Sequence, residues 1–371
     1  MNSLSEDCKT SRCENEVADK TVSTNFNSVD LMKFICSIFV VCIHTSPLSA
    51  FSPPLNFELN QILARLAVPF FFLTASYFFF KKIDTSSSDY FDVNSQYFRK
   101  YIKRLCLLYI IWSGIYFIYI TYSWFQSDES ITNFIFSAIR GLLLTGVADY
   151  LWYMAALIFA TVTIYFSLKY ISIKSTILIG FALYIIGLFG DSYFGFIVNT
   201  PVIGSIFKRY NLLFLTTRNG LFFGIIFIAL GAYLAKNNFV TTSKKLIILF
   251  TLSFLLMSIE AFTLGLLHIP KDYNMYFFLV PTTVFLFLLL LNIKLKPSPI
   301  YRYLRDLSVL IYFSHIIFCT AYPMILGMFN PNAQQNNVSK FFFTLFSSIL
   351  FSASIIWLSQ FKHLRFLKKL Y

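Results

Sequence analysis

Ionisable side chains inside long apolar runs are the residues of this sequence most able to do chemistry. They are Asp30, Lys33, His44, Arg65, Arg218, Glu260 and His315. A charge near the middle of a bilayer costs about 2.5–3.5 kcal/mol on insertion scales, so such residues usually face a cavity or a partner. A neutral histidine beside a carboxylate can serve as a general base near neutral pH. Buried cations can hold a carboxylate, a phosphate or a developing oxyanion. The set predicts a polar site within a membrane. The alternative is that these residues form structural ion pairs or snorkel from span ends, and for Asp30 the two interpretations are equally good.

Helical spacing relates two of these residues. Lys33 and His44 are eleven residues apart in the first apolar run, which is about three helical turns and about 16 Å of rise. They therefore share one helix face, and Ser37 and Asp30 fall near the same stripe. We expect Lys33 toward the cytoplasmic side and His44 toward the external side.

Chain direction places the other residues in depth. Arg65 and Arg218 come early in runs that would pass inward, and Glu260 comes late in a run that would pass outward. We therefore expect all three in the outer half of the membrane near the level of His44, with His315 nearer mid-depth. Two histidines and one glutamate match a metal ligand count, but no i, i+4 spacing supports a metal site, so none is predicted.

The elements that must position these residues are membrane-spanning helices. Hydrophobic residues make up 57% of the chain and charged residues 13%, against about 45–50% and 25% in soluble proteins. The apolar residues form blocks about 20 residues long, the length that a helix needs to cross a bilayer. We expect an all-α polytopic bundle with ten spans: 29–48, 57–80, 101–124, 150–168, 174–190, 212–235, 245–267, 274–292, 306–328 and 341–361. Segment 131–147 is expected to be an interfacial or re-entrant helix, and segment 86–100 to lie along the membrane surface.

The positions of Lys and Arg indicate the orientation of the bundle. With the N-terminus inside, 22 of the 30 fall on cytoplasmic segments, 5 on external segments and 3 within spans. This bias follows the positive-inside rule and predicts an even number of spans with both termini cytoplasmic. Because the net charge of +13 resides in short loops, no nucleic-acid partner is expected. We expect a disordered cytoplasmic tail over 1–28, a transmembrane domain over 29–361 and a basic cytoplasmic tail over 362–371.

Several stretches resemble one family of integral membrane proteins. VDLMKFICSIFVVCIHTSPL (29–48) and RLAVPFFFLTASYFF (65–79) are similar to the first two spans of the acyltransferase family 3 proteins. The resemblance extends to nearly the whole chain through LWYMAALI (151–158), RNGLFFGIIFIALGAYLAK (218–236) and LRDLSVLIYFSHIIF (304–318). Within the family, Glu260 with DYNMYFFLVP (272–281) is most similar to the membrane domain of the vancomycin-resistance serine racemases. With ten residues after the last predicted span, we expect no soluble racemase domain.

The resemblance implies a bacterial cell-membrane enzyme that takes an acyl group, often acetyl, from cytoplasmic acyl-CoA. The acceptor would be a hydroxyl of a cell-surface glycan or a small molecule beyond the outer face, and no bound cofactor is expected. In this interpretation His44 and Glu260 are catalytic, and His44 is the base. The residues expected to bind substrate are Lys33, Arg65, Arg218, Asn219 and His315.

The chain departs from the family pattern at three points. Lys33 stands where arginine is usual, Tyr150 where histidine often precedes the L-W-Y segment, and Ala75-Ser76 where a Ser-Gly pair is expected. Lysine cannot form the bidentate fork that arginine makes with a phosphate or carboxylate. Two alternatives stay open: a transporter or exporter of a small polar solute such as serine or a sugar intermediate, and a scaffold subunit without a site.

Overall fold

The computed structural model describes residues 26–147, 150–237, 239–329 and 336–371. Within these ranges the chain forms helices and no β-strand, which confirms the predicted all-α class. The predicted tail over 1–28 lies outside the described residues as far as position 25.

Twelve helices of ten residues or more occur in the described part of the chain. We number them α1 Asn27–Thr45, α2 Pro53–Phe80, α3 Tyr90–Phe125, α4 Ile131–Thr145, α5 Trp152–Tyr170, α6 Ile173–Phe189, α7 Ile203–Phe214, α8 Gly220–Lys236, α9 Ser243–Leu266, α10 Leu279–Asn292, α11 Pro299–Phe329 and α12 Asn337–Leu358. Two short 3₁₀ helices cover Phe194–Phe196 and Lys362–Leu370.

Seven helices among the described residues are long and apolar enough to cross a membrane, namely α1, α2, α3, α5, α9, α11 and α12. The chain is therefore a multi-pass membrane protein. Each of the ten predicted spans overlaps a helix. The helices α8 and α10 are shorter than the spans predicted over 212–235 and 274–292, and α10 has only 14 residues. Helix α6 has the predicted length of 17 residues.

Close helix packing holds α1, α2, α8 and α11 together at the centre of the bundle. Gly231 of α8 lies against α2 so closely that an added Cβ would stand 2.6 Å from the Leu73 carbonyl oxygen and from the Ser76 Cβ. Ser76 Oγ also donates a hydrogen bond of 2.5 Å to the Ile228 carbonyl. Small residues and interhelical hydrogen bonds of this kind drive helix association where lipid removes the hydrophobic driving force.

The segment expected along the membrane surface, 86–100, instead leads into α3. This helix begins at Tyr90 and runs for 36 residues, about 54 Å at 1.5 Å per residue. Its first turns pack on α5: Phe98 stacks on Tyr165 with ring centroids 3.9 Å apart, and the Tyr90 hydroxyl donates to the Tyr165 carbonyl. These contacts hold the polar segment as a continuation of the apolar helix.

Candidate functional site

A cavity of about 140 Å³ lies where α1, α2, α5, α8 and α11 meet. Among the residues that line it are His44, Arg65, Arg218 and His315, all four of which were singled out from the sequence. We call it the histidine cavity. The structure thus brings together residues from four separate helical regions of the chain.

The two histidines of this cavity lie beside each other. The ring centroids of His44 and His315 are 5.2 Å apart, and the His44 ring meets Tyr150 edge to face at 5.1 Å. His315 Nδ1 lies 3.1 Å from the Ile311 carbonyl oxygen. Because a carbonyl only accepts, Nδ1 carries a proton, and in the neutral ring Nε2 carries the lone pair. His315 Nε2 is buried and has no hydrogen-bond partner among the described residues, so it is available to a proton or donor in the cavity.

The two arginines converge on one amide oxygen. Arg65 Nη1 donates to Asn274 Oδ1 at 2.6 Å, and Arg218 Nη1 donates to the same oxygen at 2.9 Å. Arg65 is further held by Gln61 Oε1, which accepts from Nε and Nη2. The Arg218 guanidinium lies 4.8 Å from the centroid of the Trp152 ring, within cation–π range. The cavity wall therefore carries two fixed positive charges side by side.

Both arginines enter the cavity at irregular turns. Arg65 sits in the 3₁₀ turn Ala64–Leu66, directly after the π-helical stretch Glu58–Leu63 of α2. Arg218 comes just before the π-helical start of α8, Gly220–Gly224. Irregular turns of this type are frequent at functional sites.

A buried carboxylate stands behind Asn274. Asp191, which is 0% exposed, accepts from the backbone N–H groups of Asn274 and Met275 at 2.8 and 3.1 Å. Its Oδ2 accepts from Asn274 Nδ2 at 2.9 Å, and Ser192 Oγ donates to its Oδ1. Burial raises the pKa of Asp191, while the hydrogen bonds from Asn274 oppose that shift.

Glu260, expected from the sequence to be catalytic together with His44, binds a different part of the structure. Its Oε1 accepts from the Tyr193 hydroxyl at 2.7 Å and from Phe277 N at 2.6 Å, and its Oε2 accepts from Phe278 N at 3.0 Å. Glu260 is not among the described residues that line the histidine cavity. Its carboxylate instead holds the segment before α10, the same segment that carries Asn274.

Asn219 also lies outside the described lining of that cavity. Its Oδ1 accepts from the N–H groups of Leu221 and Phe222 and so caps the start of α8. Its Nδ2 donates to the Tyr210 hydroxyl and to the Thr216 carbonyl. The amide thereby fixes the backbone next to Arg218.

Lys33 lines a second and larger cavity of about 610 Å³, which we call the Lys33 cavity. Lys33 Nζ lies 3.3 Å from Asp30 Oδ1, and Asp30 Oδ2 lies 4.0 Å from Arg305 Nη1. The charged residues in its lining are the cations Lys33, Lys82, Arg104 and Arg305 and the acids Asp30 and Asp306. Four cations against two carboxylates leave this cavity suited to an anion.

A third cavity of about 310 Å³ is lined by Lys340, Tyr119, Cys319 and others, and we call it the Lys340 cavity. Neighbouring cavities have wall residues in common. Tyr312 lines both the Lys33 cavity and the histidine cavity, while His44 and Tyr150 line both the histidine cavity and the Lys340 cavity. His44 therefore stands between two of the three.

Sequence reasoning missed Asp191, Asn274 and Gln61. Asp191 and Asn274 lie in connections between helices, 83 positions apart, whereas the predicted site comprised ionisable groups inside apolar runs. The available signal was a lone acid directly after an apolar run, in G-D-S, and the polar triplet D-Y-N before another. Among the described residues no group of three or more His, Cys, Asp or Glu is placed to hold a metal ion.

Comparisons with known proteins agree with this architecture. A family model described as an acyltransferase domain matches residues 26–357. One relative, named amino-acid racemase, from Enterococcus faecalis is 34% identical over 280 residues, which are 74% of this chain and 37% of that protein. A serine/alanine racemase from Enterococcus gallinarum is 30% identical over 287 residues, 77% of this chain and 40% of that protein.

A second amino-acid racemase from Enterococcus faecalis is 30% identical over 297 residues, 78% of this chain and 40% of that protein. The chain thus spans about two fifths of the length of the curated relatives that it matches. No solved structure matches the chain.

Proposed function

The chain belongs to the acyltransferase family whose domain it matches over residues 26–357, and from that premise we propose that it is a membrane O-acyltransferase. It moves an acyl group, such as acetyl, from cytoplasmic acyl-CoA to a hydroxyl of an acceptor beyond the outer face of a bacterial cell membrane. The acceptor that we propose is a cell-surface glycan. The single observation that supports this proposal most is the series of three adjacent cavities, in which the middle one shares Tyr312 with one neighbour and His44 with the other.

In this proposal the bundle has ten spans and both termini are cytoplasmic. The Lys and Arg bias of 22 against 5 supports that orientation. The Lys33 cavity then opens toward the cytoplasm and the Lys340 cavity toward the outside. His44 lies between the side from which donor arrives and the side from which acceptor arrives.

The donor binds in the Lys33 cavity. Acyl-CoA carries phosphate groups, and Lys33, Lys82, Arg104 and Arg305 line this space. Lysine contacts a phosphate as a point charge, whereas arginine can contact it with two parallel N–H groups. The thioester at the end of the pantetheine arm then extends past Tyr312 to the histidine cavity.

His44 acts as the base in the transfer step. It takes the proton of the acceptor hydroxyl while the hydroxyl oxygen forms a bond to the thioester carbon. The oxyanion that results is stabilised by the guanidinium groups of Arg65 and Arg218, which Asn274 already holds in place. The C–S bond breaks as the carbonyl re-forms, and the CoA thiolate takes the proton back from His44.

The role that we propose for Glu260 differs from the catalytic one expected from the sequence. Its three hydrogen bonds to Tyr193, Phe277 and Phe278 favour an anchoring role for the segment that carries Asn274. His315, whose Nε2 is buried beside His44, is the better candidate for a second proton carrier.

The test is acyl transfer by purified protein and by cells. His44→Ala should abolish release of CoA on addition of acceptor and remove the acyl mass increment from surface glycans in mass spectrometry. His363→Ala is the matched control, since His363 is exposed and lines none of the three cavities. Normal glycan acylation by the His44→Ala protein would refute the mechanism.

A second candidate is a carrier for an amino acid such as serine. Two guanidinium groups that share one acceptor could hold a carboxylate, and the relatives reported above are named racemases of amino acids. Uptake of labelled serine into proteoliposomes without acyl-CoA favours the carrier. CoA release that depends on acceptor favours the enzyme.

A further inference from the structure

We propose that Asp191 is a positioning residue, which acts through Asn274 to hold Arg65 and Arg218 as a pair on the wall of the histidine cavity. The kinetic part of this inference rests on the proposed acyl transfer. The part that concerns the arginines does not.

The two arginines donate hydrogen bonds to Asn274, and Asn274 in turn donates one to the Asp191 carboxylate. Asp191 Oδ2 accepts from Asn274 Nδ2, and Asn274 Oδ1 accepts from both guanidinium groups. Only one orientation of the amide satisfies all three contacts, because its nitrogen must donate and its oxygen must accept. Polarised by the carboxylate, the amide oxygen becomes a stronger acceptor for the arginines.

The arrangement also balances the charges of the two arginines. Two guanidinium groups that share one acceptor repel each other, and a buried carboxylate behind that acceptor offsets part of the repulsion. Among the described residues Asp191 forms no ion pair within 4.0 Å, and Asn274 bridges its carboxylate to the arginines. A neutral residue at position 191 would leave the pair without this counter-charge.

Asp191 also fixes where Asn274 stands. The backbone N–H groups of Asn274 and Met275 both bind Asp191 Oδ1, and the Lys271 N–H binds the Asp191 carbonyl. A residue that merely held this loop would need only the backbone contacts. The additional bond to the Asn274 side chain is the one that concerns the arginines.

Asp191→Asn is the first variant to test. It keeps the size of the side chain and an oxygen for the backbone N–H groups, but it sets an NH₂ group against Asn274 Nδ2. Two donors in contact turn the Asn274 amide away from the guanidinium groups. We expect kcat per folded protein to fall about 10- to 100-fold, less than the roughly 10²–10³-fold for one lost oxyanion donor because both guanidinium groups remain, with KM for donor and acceptor nearly unchanged.

The double variant Asp191→Asn, Asn274→Asp supplies the rescue. It moves the negative charge one residue toward the arginines and restores every donor–acceptor match, since Asn at 191 can donate to Asp at 274. It should recover most of the lost kcat. The charge control is Asp272→Asn, which removes a carboxylate from the same loop. Ser192 donates to the backbone carbonyl of Asp272 and not to its carboxylate, so this variant keeps that hydrogen bond.

A second readout does not depend on any activity. Phenylglyoxal modifies accessible arginines, and mass spectrometry locates the modified sites in the full chain in detergent. Asp191→Asn should raise modification of Arg65 and Arg218 several-fold while Arg305, in the Lys33 cavity, stays as in the wild type. The double variant should return both arginines to wild-type protection.

Unchanged modification of Arg65 and Arg218 in correctly folded Asp191→Asn protein would overturn the inference. Equal gains at all arginines, Arg305 included, would indicate general unfolding, and the double variant then decides: restored protection supports the inference and continued exposure overturns it. If the wild-type protein transfers no acyl group, the proposed function is refuted. The modification of Arg65 and Arg218 then tests this inference by itself.

Discussion

The ion pair in the Lys33 cavity allows two substitutions with opposite expected effects. Lys33 Nζ lies 3.3 Å from Asp30 Oδ1, and each of the two side chains is 17% exposed. If this cavity binds the phosphates of the donor, Lys33 attracts them and Asp30 repels them. Lys33→Met should therefore weaken CoA binding, and Asp30→Asn should strengthen it.

The magnitudes follow from the geometry. A hydrogen bond to a charged group contributes about 1.5–3 kcal/mol, so Lys33→Met should raise the Kd for CoA about 10- to 150-fold at 1.4 kcal/mol per factor of ten. A carboxylate and a phosphate about 6 Å apart repel by about 0.7 kcal/mol at the dielectric constant of water and by more in the protein. Asp30→Asn should thus lower the Kd at least about threefold.

Isothermal titration of CoA into purified protein in detergent measures both changes. Lys81→Met is the matched control, because Lys81 packs against Phe26 and Tyr77 and does not line the Lys33 cavity. Added salt should reduce the difference between the variants. A Kd that Lys33→Met leaves within a factor of about two, or one that both variants shift in the same direction, would refute a donor site at Lys33.

Three further predictions concern other parts of the bundle. Glu260→Ala should lower the free energy of unfolding by about 1–3 kcal/mol for each donor left unpaired, and Glu260→Gln should lower it less. A thermal-unfolding series checks this, while a stable but inactive Glu260→Gln protein would instead indicate a base. Gly231→Val should reduce the yield of monodisperse protein in detergent, because its Cβ would meet α2 at 2.6 Å; Gly114→Val, with nothing within 4 Å of the added Cβ, is the control. His315→Phe should keep the fold and lower kcat about 10²-fold or more; wild-type kcat would show that His315 carries no proton.

The helices were predictable from the sequence because apolar runs of about 20 residues have few other structures open to them in a bilayer. Their ends were less predictable. The span expected over 212–235 begins at Gly220, because Leu215 takes a positive φ of 61° and Asn219 caps the new helix. Segment 86–100 joins α3 because Tyr90 and Phe98 bind Tyr165, a contact between residues far apart in the chain.

The level of each site residue in the membrane was predictable from the sequence. The direction in which it points from its helix was not. His44, Arg65 and Arg218 were expected at one level, and they line one cavity. Glu260 was assigned the same level, but its carboxylate binds Tyr193 and the segment before α10. Which face of a helix meets the cavity depends on neighbouring helices, and the order of residues along a single run does not contain that information.

The irregular turns explain why the direction in which Arg65 points from its helix was not predictable. A π-turn holds one residue more than a regular α-helical turn, and one extra residue rotates everything after it by about 100°. In α2 the π-helical stretch Glu58–Leu63 ends two residues before Arg65, so a regular helical period drawn from 57 to 80 places the residues that precede the stretch on the wrong face relative to Arg65. After this stretch, Arg65 contacts Gln61 and faces the loop that carries Asn274, while Phe70 lies in the core. Because α8 likewise begins with a π-turn next to Arg218, the paired arginines depend on backbone irregularity in both helices, with Asn274 as the acceptor that the two arrangements have in common.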